Sequence, residues 1–179
     1  ALAATAAAHA LGIPFEVIKE ALADYRGTHR RLEFKGKRGD VTIIDDYAHH
    51  PTAVRALIDA ARDRFPERRI WCVFQPHLYS RTKHLFSGFA HAFGDADILV
   101  LADIYAAREV DRGEVSSRLL ADETRKHHPD VRYLGGMEEI KEHLLRETEP
   151  GDLVLTMGAG DIFKVGEAFL QAQRVQDQI

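Results

Sequence analysis

The sequence predicts an α/β domain: a mainly parallel, doubly wound, Rossmann-like sheet with helices on both faces and an N-terminal hairpin strand. Three observations predict it. Short apolar runs without polar alternation, such as Ile98-Leu99-Val100-Leu101 and Leu153-Val154-Leu155, are typical of strands buried on both faces. Between these runs, apolar residues recur at helical spacing, as Val54, Leu57, Ile58 and Ala61 do, and again Leu85, Phe89 and Phe93. Polar, glycine- and proline-containing stretches stand where the runs end, which is where ligands collect in sheets of this kind.

Residues 1 to about 24 read as two short helices divided by Gly12-Ile13-Pro14, the first alanine-rich, the second with an apolar face of Phe15, Val17, Ile18, Ala21 and Leu22. Helices this short cannot stand alone. The polar stretch Asp24-Tyr25-Arg26-Gly27-Thr28-His29-Arg30-Arg31 reads as a hinge. Leu32-Glu33-Phe34 and Val41-Thr42-Ile43-Ile44 flank Lys35-Gly36-Lys37-Arg38-Gly39-Asp40, the pattern of a hairpin closed by a glycine-containing loop. Beyond it the periodicity predicts helices over 52–65, 81–93, 116–127, 137–146 and 161–173, and strands over 70–74, 97–102, 131–134 and 152–156.

Composition sets the outer bounds. The chain has 179 residues, 45% hydrophobic and 29% charged, which suits a globular domain with a small appendage and argues against disorder. A formal charge of −4 argues against a broad nucleic-acid surface, which needs a basic excess. No apolar run approaches the ~18 residues of a membrane-spanning helix. A single cysteine, Cys72, excludes an internal disulfide, fits a reducing compartment, and reads as a core residue inside an apolar run. Residue 1 is alanine, and residues 1–10 resemble the interior of a helix without the basic start of a signal peptide, so the chain is expected to be part of a larger protein.

The strand ends carry the candidate chemistry. The first runs into Asp45-Asp46-Tyr47-Ala48-His49-His50-Pro51. Pro51 suits a first helical turn, so Asp46 and His50 are either its caps or members of a site. The mixture of acids and imidazoles admits a metal, but its spacing matches no zinc pattern. The next strand runs into Gln75-Pro76-His77-Leu78-Tyr79-Ser80-Arg81-Thr82-Lys83, with Ser80 a candidate cap and Arg81 opening the first turn. A cation there opposes the helix dipole, and an anion held between the guanidinium and the helix start would explain it; the alternative is a surface arginine paired with an acid. The last strand runs into Thr156-Met157-Gly158-Ala159-Gly160-Asp161-Ile162, whose glycines allow close approach of a phosphate or of another chain segment. The longer dinucleotide fingerprint is absent, as is any Gly-x-x-x-x-Gly-Lys-[Ser/Thr] loop. His84, His91 and His143 sit singly on helices, and His127-His128 stands at a helix end, where positive charge is favourable without any functional role.

In this order and spacing, the segments Asp45 to Thr52, Gln75 to Thr82 and Gly158 to Ile162, with Gly27-Thr28-His29-Arg30-Arg31-Leu32 upstream, resemble the third domain of the Mur ligase family, in its alanine-adding branch. The resemblance covers essentially the whole chain. It implies that residues 1–30 are the last helices of a central ATPase domain plus hinge, and that 31–179 are the C-terminal domain. It further implies a cytoplasmic bacterial enzyme of peptidoglycan precursor synthesis, an ATP-dependent acid–amino-acid ligase. In such an enzyme ATP and Mg²⁺ convert the carboxylate of UDP-N-acetylmuramate into an acyl phosphate, which the amine of L-alanine attacks. The third domain would close over the nucleotide and bring in the amino acid.

Carried over by position, Arg31 and Asp46 would meet the nucleotide, and Tyr47, His49 and Arg81 would surround L-alanine, with Arg81 on its carboxylate. His50, His77, Gly158 and Gly160 would lie in the loops around the site. The resemblance places no catalytic residue and no metal ligand in this chain, so the chain alone is expected to be inactive. Leu78 stands where some members carry a second arginine. Two other readings are a stand-alone nucleotide- or anion-binding domain, and the related ligase that recycles murein peptides. The segment from Gln75 to Thr82 resembles the alanine-adding enzyme rather than that relative.

Overall fold

A computed structural model describes residues 1–25 and 27–172. A helical pair, α1 (Leu2–Ala10) and α2 (Phe15–Asp24), precedes an antiparallel ribbon of β1 (Glu33–Arg38) and β2 (Val41–Asp46). There follow α3 (Pro51–Arg64), β3 (Ile70–Phe74), α4 (Tyr79–His84), α5 (Phe86–Ala90), β4 (Ile98–Ala102), α6 (Ser117–Thr124), β5 (Val131–Gly135), α7 (Met137–Glu147), β6 (Leu153–Met157) and α8 (Phe163–Gln171). The strands form one sheet in the order β1-β2-β6-β3-β4-β5, parallel throughout except for β1. This is the doubly wound architecture expected from the sequence.

Strands β2, β3, β4 and β6 are buried at every position, as their unbroken apolar runs require. Successive residues face opposite sides. Ile44, Cys72 and Phe74 pack with Val54 and Ile58 of α3, Phe89 of α5 and Leu120 of α6. Ile43, Trp71 and Val73 pack with Ile140 and Leu144 of α7 and with Val165 and Phe169 of α8. At the amino ends of the strands, Asp152 is buried and accepts hydrogen bonds from Arg69 (2.9 and 2.8 Å), from the Trp71 indole (2.9 Å) and from the Glu149 amide (2.8 Å). Polar groups there satisfy one another. The α1–α2 pair buries Ile18 and leaves Leu2, Leu11, Phe15, Val17 and Tyr25 exposed.

Two expected elements differ. The residues expected to loop between the hairpin strands are largely paired: Lys37 faces Thr42 and Arg38 faces Val41, and the turn narrows to Gly39-Asp40 with Gly39 at φ 61°. A strand at a sheet edge keeps one flank in water, so it tolerates the lysines and arginine that resemble a loop. The helix expected over 81–93 starts earlier and is divided at Leu85 into α4 and α5. The division lets α5 settle against the start of α3, where a Cβ on Gly88 would lie 3.1 Å from the Pro51 ring.

The region expected to be a hinge is anchored by Arg30, only 8% exposed and at φ 54°. Its Nε donates to Asp45 (2.8 Å), its Nη1 to the Gly160 carbonyl (2.9 Å) and its Nη2 to the Gly158 carbonyl (2.6 Å). Asp45 is fully buried and also accepts from the Thr156 hydroxyl at 2.7 Å. Removing one partner of a buried, hydrogen-bonded ion pair leaves the other charge unpaired. Arg30→Met is therefore expected to destabilise the fold by about 3–5 kcal/mol in urea unfolding. Arg31→Met, at the exposed neighbour, should stay within about 0.5 kcal/mol of the parent. Similar losses at both positions would contradict this anchoring.

Candidate functional site

The carboxyl ends of β2, β3, β4 and β6 open onto one rim, and an aromatic row crosses it. The Tyr47 and His49 rings meet edge-on at 5.2 Å, His49 and His77 at 6.1 Å, and His77 stacks on Tyr105 at 5.6 Å with 14° between planes. The row follows from the backbone. Past β3 the chain stays extended, with an isolated parallel bridge between His77 and Tyr105, while the Tyr105 amide donates to Pro76 (2.8 Å) and the Leu78 amide to Tyr105 (2.9 Å). Leu78 then takes φ 68° and ψ 133°, a costly conformation for a branched side chain, and turns the chain into α4.

Arg81 lies one turn on, and its Nη1 is 3.3 Å from His77 Nδ1. Arginine only donates, so this ring nitrogen accepts and the neutral imidazole carries its proton on Nε2. The environment favours that neutral form: burial, then the charge of Arg81, then His49 hold the His77 pKa below its ordinary 6.5. The His49 ring has the opposite tautomer, because its Nδ1 lies 2.8 Å from the Tyr47 carbonyl and must donate to it. In the neutral ring Nε2 is then the acceptor.

The other expected site residues fall into distinct roles. Asp46 is 7% exposed, not the open strand-end group its position suggests; its two oxygens accept from the amides of Leu32 and Ala48, both at 2.8 Å. It ties Leu32 to the rim and does not cap α3. That cap is His50, whose Nδ1 accepts from the Thr52 amide at 3.3 Å. Arg31 is exposed, with its guanidinium carbon 5.8 Å from the Tyr47 ring centre. Gly158 and Gly160 answer to packing: a Cβ on Gly158 would come within 2.7 Å of the Gln75 carbonyl, and one on Gly160 within 2.6 Å of the Tyr105 ring. Gln75 completes this floor by donating to Asp161 (3.2 Å) and accepting from its amide (3.0 Å).

Two expectations at α4 are corrected. Ser80 is not its cap and Arg81 does not open it: the helix starts at Tyr79 with Leu78 in the cap position, because the bridge to Tyr105 ends there. The Ser80 amide and hydroxyl both donate to Glu109, at 2.9 and 2.5 Å. Sequence reasoning also missed Arg30. Two adjacent arginines carry the same signal, and the positive φ that turns one inward is not written in residue type.

A doubly wound domain with a guanidinium, imidazoles and a phenol gathered at its strand ends is of the class whose ligands sit at the sheet's carboxyl rim. Within that class, residues 30–160 match the family profile described as Mur ligase, glutamate ligase domain, and the chain belongs to this family. It is 50% identical over 173 residues to UDP-N-acetylmuramate–L-alanine ligase of Clostridium novyi, covering 97% of this chain and 38% of that one. It is 49% identical over 176 residues to the ligase of the same name from Acetivibrio thermocellus, covering 98% and 37%. The chain thus spans little more than a third of the length of these relatives. Among solved structures, UDP-N-acetylmuramate-alanine ligase from Thermotoga maritima superposes with a TM-score of 0.78 at 26% identity, covering 95% of this chain and 36% of that one. A murein peptide ligase from Psychrobacter arcticus shares the fold, with a TM-score of 0.70 at 24% identity over 98% and 36% of the two chains.

Because His77 is favoured neutral, its contribution to stability is complete above pH 6.5 and is lost as pH falls through its lowered folded-state pKa. In an NMR titration His77 should have its midpoint below 6.5. Arg81→Ala should move that midpoint up while leaving it depressed, since burial, the larger cause, remains. A midpoint unmoved by the substitution would show that Arg81 does not act on this ring.

Proposed function

We propose that this domain binds the amino acid and closes over the nucleotide in an ATP-dependent ligase that joins L-alanine to UDP-N-acetylmuramate in bacterial peptidoglycan precursor synthesis, a cytoplasmic reaction. The observation that carries the proposal is the Arg81–His77 pair set at the end of β3, facing His49 and Tyr47. The near-50% identity to ligases of that name supports it. L-Alanine offers a methyl group, an amine and a carboxylate, so recognition falls to its charged ends. His77 engages a single N–H of Arg81 and orients the guanidinium, leaving its fork for a carboxylate. His49 Nε2, the ring's acceptor, suits the amine, and the half-exposed Tyr47 bounds the site on the hinge side.

On the same reading, residues 1–30 belong with the central ATPase domain, and 31–179 form the third domain; the family match beginning at residue 30 supports that division. Arg31, exposed beside Tyr47, is the residue that reaches ATP. Asp46 holds the hinge that presents it, and the remaining lone pairs of its carboxylate suit ribose hydroxyls. Among the described residues no group of three or more His, Cys, Asp or Glu comes together to hold a metal ion. Activation turns a poor electrophile into an acyl phosphate, and this domain's share is to bring the amine beside it, removing an entropic barrier.

In the full-length enzyme Arg81→Ala should raise the KM for L-alanine roughly ten- to a hundredfold, as loss of a charged hydrogen bond of ~1.5–3 kcal/mol implies. Arg81→Lys should recover only part, because the planar fork is gone. The KM for ATP should change far less. An unchanged L-alanine KM with a collapsed ATP affinity would reassign Arg81 to the nucleotide, and turnover of an L-alanine-led peptide in place of free L-alanine would favour the recycling ligase. The 179-residue chain alone should neither form the amide nor hydrolyse ATP, since it has no phosphate-binding loop to position phosphoryl transfer. Amide product from the isolated chain would overturn the division of labour.

A further inference from the structure

The helix that carries Arg81 is short and lacks a local cap. Its cap position is Leu78, which offers no side-chain hydrogen bond and sits at φ 68°. One first-turn amide, that of Ser80, is instead met by Glu109, which lies beyond β4. One carboxylate oxygen accepts from the Ser80 amide at 2.9 Å, and the other from the Ser80 hydroxyl at 2.5 Å. The carboxylate reaches α4 because its loop is clipped to the rim. Tyr105 bonds Pro76 and Leu78, a turn closes with the Glu109 amide donating to Ala106 (2.9 Å), and Ala107 takes φ 51°. A second strap, Lys83 to Glu114 at 2.8 Å, ties the loop to the far end of the helix.

We propose that Glu109 is the positioning residue for Arg81: by capping α4 from another loop, it sets where the guanidinium stands over the amino-acid site. The proposal rests on Arg81 binding the carboxylate of L-alanine. Ser80, the residue Glu109 grips, is the immediate neighbour of Arg81, and α4 has only six residues, so fixing its first turn fixes nearly the whole helix. The bonds to Ser80 also keep the Glu109 carboxyl below the usual range, so it stays charged at neutral pH.

The test is steady-state kinetics of the full-length enzyme with L-alanine varied, on Glu109→Ala, Glu109→Gln, Arg81→Ala and the double variant Glu109→Ala/Arg81→Ala. Loss of a helix cap predicts that Glu109→Ala raises the L-alanine KM about five- to tenfold, while kcat and the ATP KM stay within about twofold. Glu109→Gln, which keeps one acceptor, should fall between it and the parent. If Glu109 acts through Arg81, the double variant is no worse than Arg81→Ala. An L-alanine KM unchanged in Glu109→Ala, beside a raised one in Arg81→Ala, overturns the proposal and leaves the amino-acid site standing. Fully multiplicative effects overturn it too, since they show Glu109 acting independently. An unchanged KM in Arg81→Ala rejects the amino-acid site itself. If Glu109→Ala does not fold, the same comparisons are made with Glu109→Gln, whose KM must rise for the proposal to hold.

Discussion

The rim depends on one buried cation. Arg30 joins the segment between α2 and β1 to β2 through Asp45 and to the loop after β6 through two glycine carbonyls. Those carbonyls lie next to a loop that needs glycine to press against Gln75 and Tyr105, so β2, β3, β4 and β6 are drawn into one surface. An arginine suits this task because its fixed fork serves several acceptors in different directions at once, whereas an ammonium on a flexible stem would not. The ring of Tyr47 and that of Phe163 lie against the same guanidinium at 5.1 and 4.8 Å, adding cation–π contact where water is excluded.

The rim then divides into an inner, rigid set and an outer, open set. Asp45, Asp46, Gln75 and Arg30 are buried and spend their polar atoms on backbone and on one another. Tyr47, His49, His77, Arg31 and Arg81 stand above them with part of their surface in water. A binding surface needs this arrangement, because side chains locked by a second layer present their polar ends in a defined geometry. The opposite end of the sheet shows the contrast: around Asp152 the partners close on each other.

Much of the fold was legible because the central strands are buried on both sides, and an unbroken apolar run such as Leu153-Val154-Leu155 has few other homes. The edge ribbon was less so, since Lys35, Lys37 and Arg38 serve an exposed strand as well as a loop. At the rim, Tyr47, His49, His77 and Arg81, which lie in segments that residue type singles out, converge. What residue type cannot encode is which polar group turns inward. Arg30 and Arg31 are chemically identical, and only the backbone dihedral at Arg30 sends one into the core. The link from Ser80 to Glu109 was equally hidden, because it joins residues 29 apart through a loop without any periodic signal.

The position of β6 has a consequence for how the domain comes together. Strands β2 and β3 are consecutive in the chain, yet they do not touch; β6 lies between them and pairs with both. Without residues 153–157, the strand that leads to Tyr47 and His49 would have no strand pairing to the half-sheet that leads to His77 and Arg81. Contacts so distant in sequence carry the entropy cost of closing a long loop. The rim therefore stands as one surface only with β6 seated between β2 and β3, a single strand on which both halves of the sheet depend.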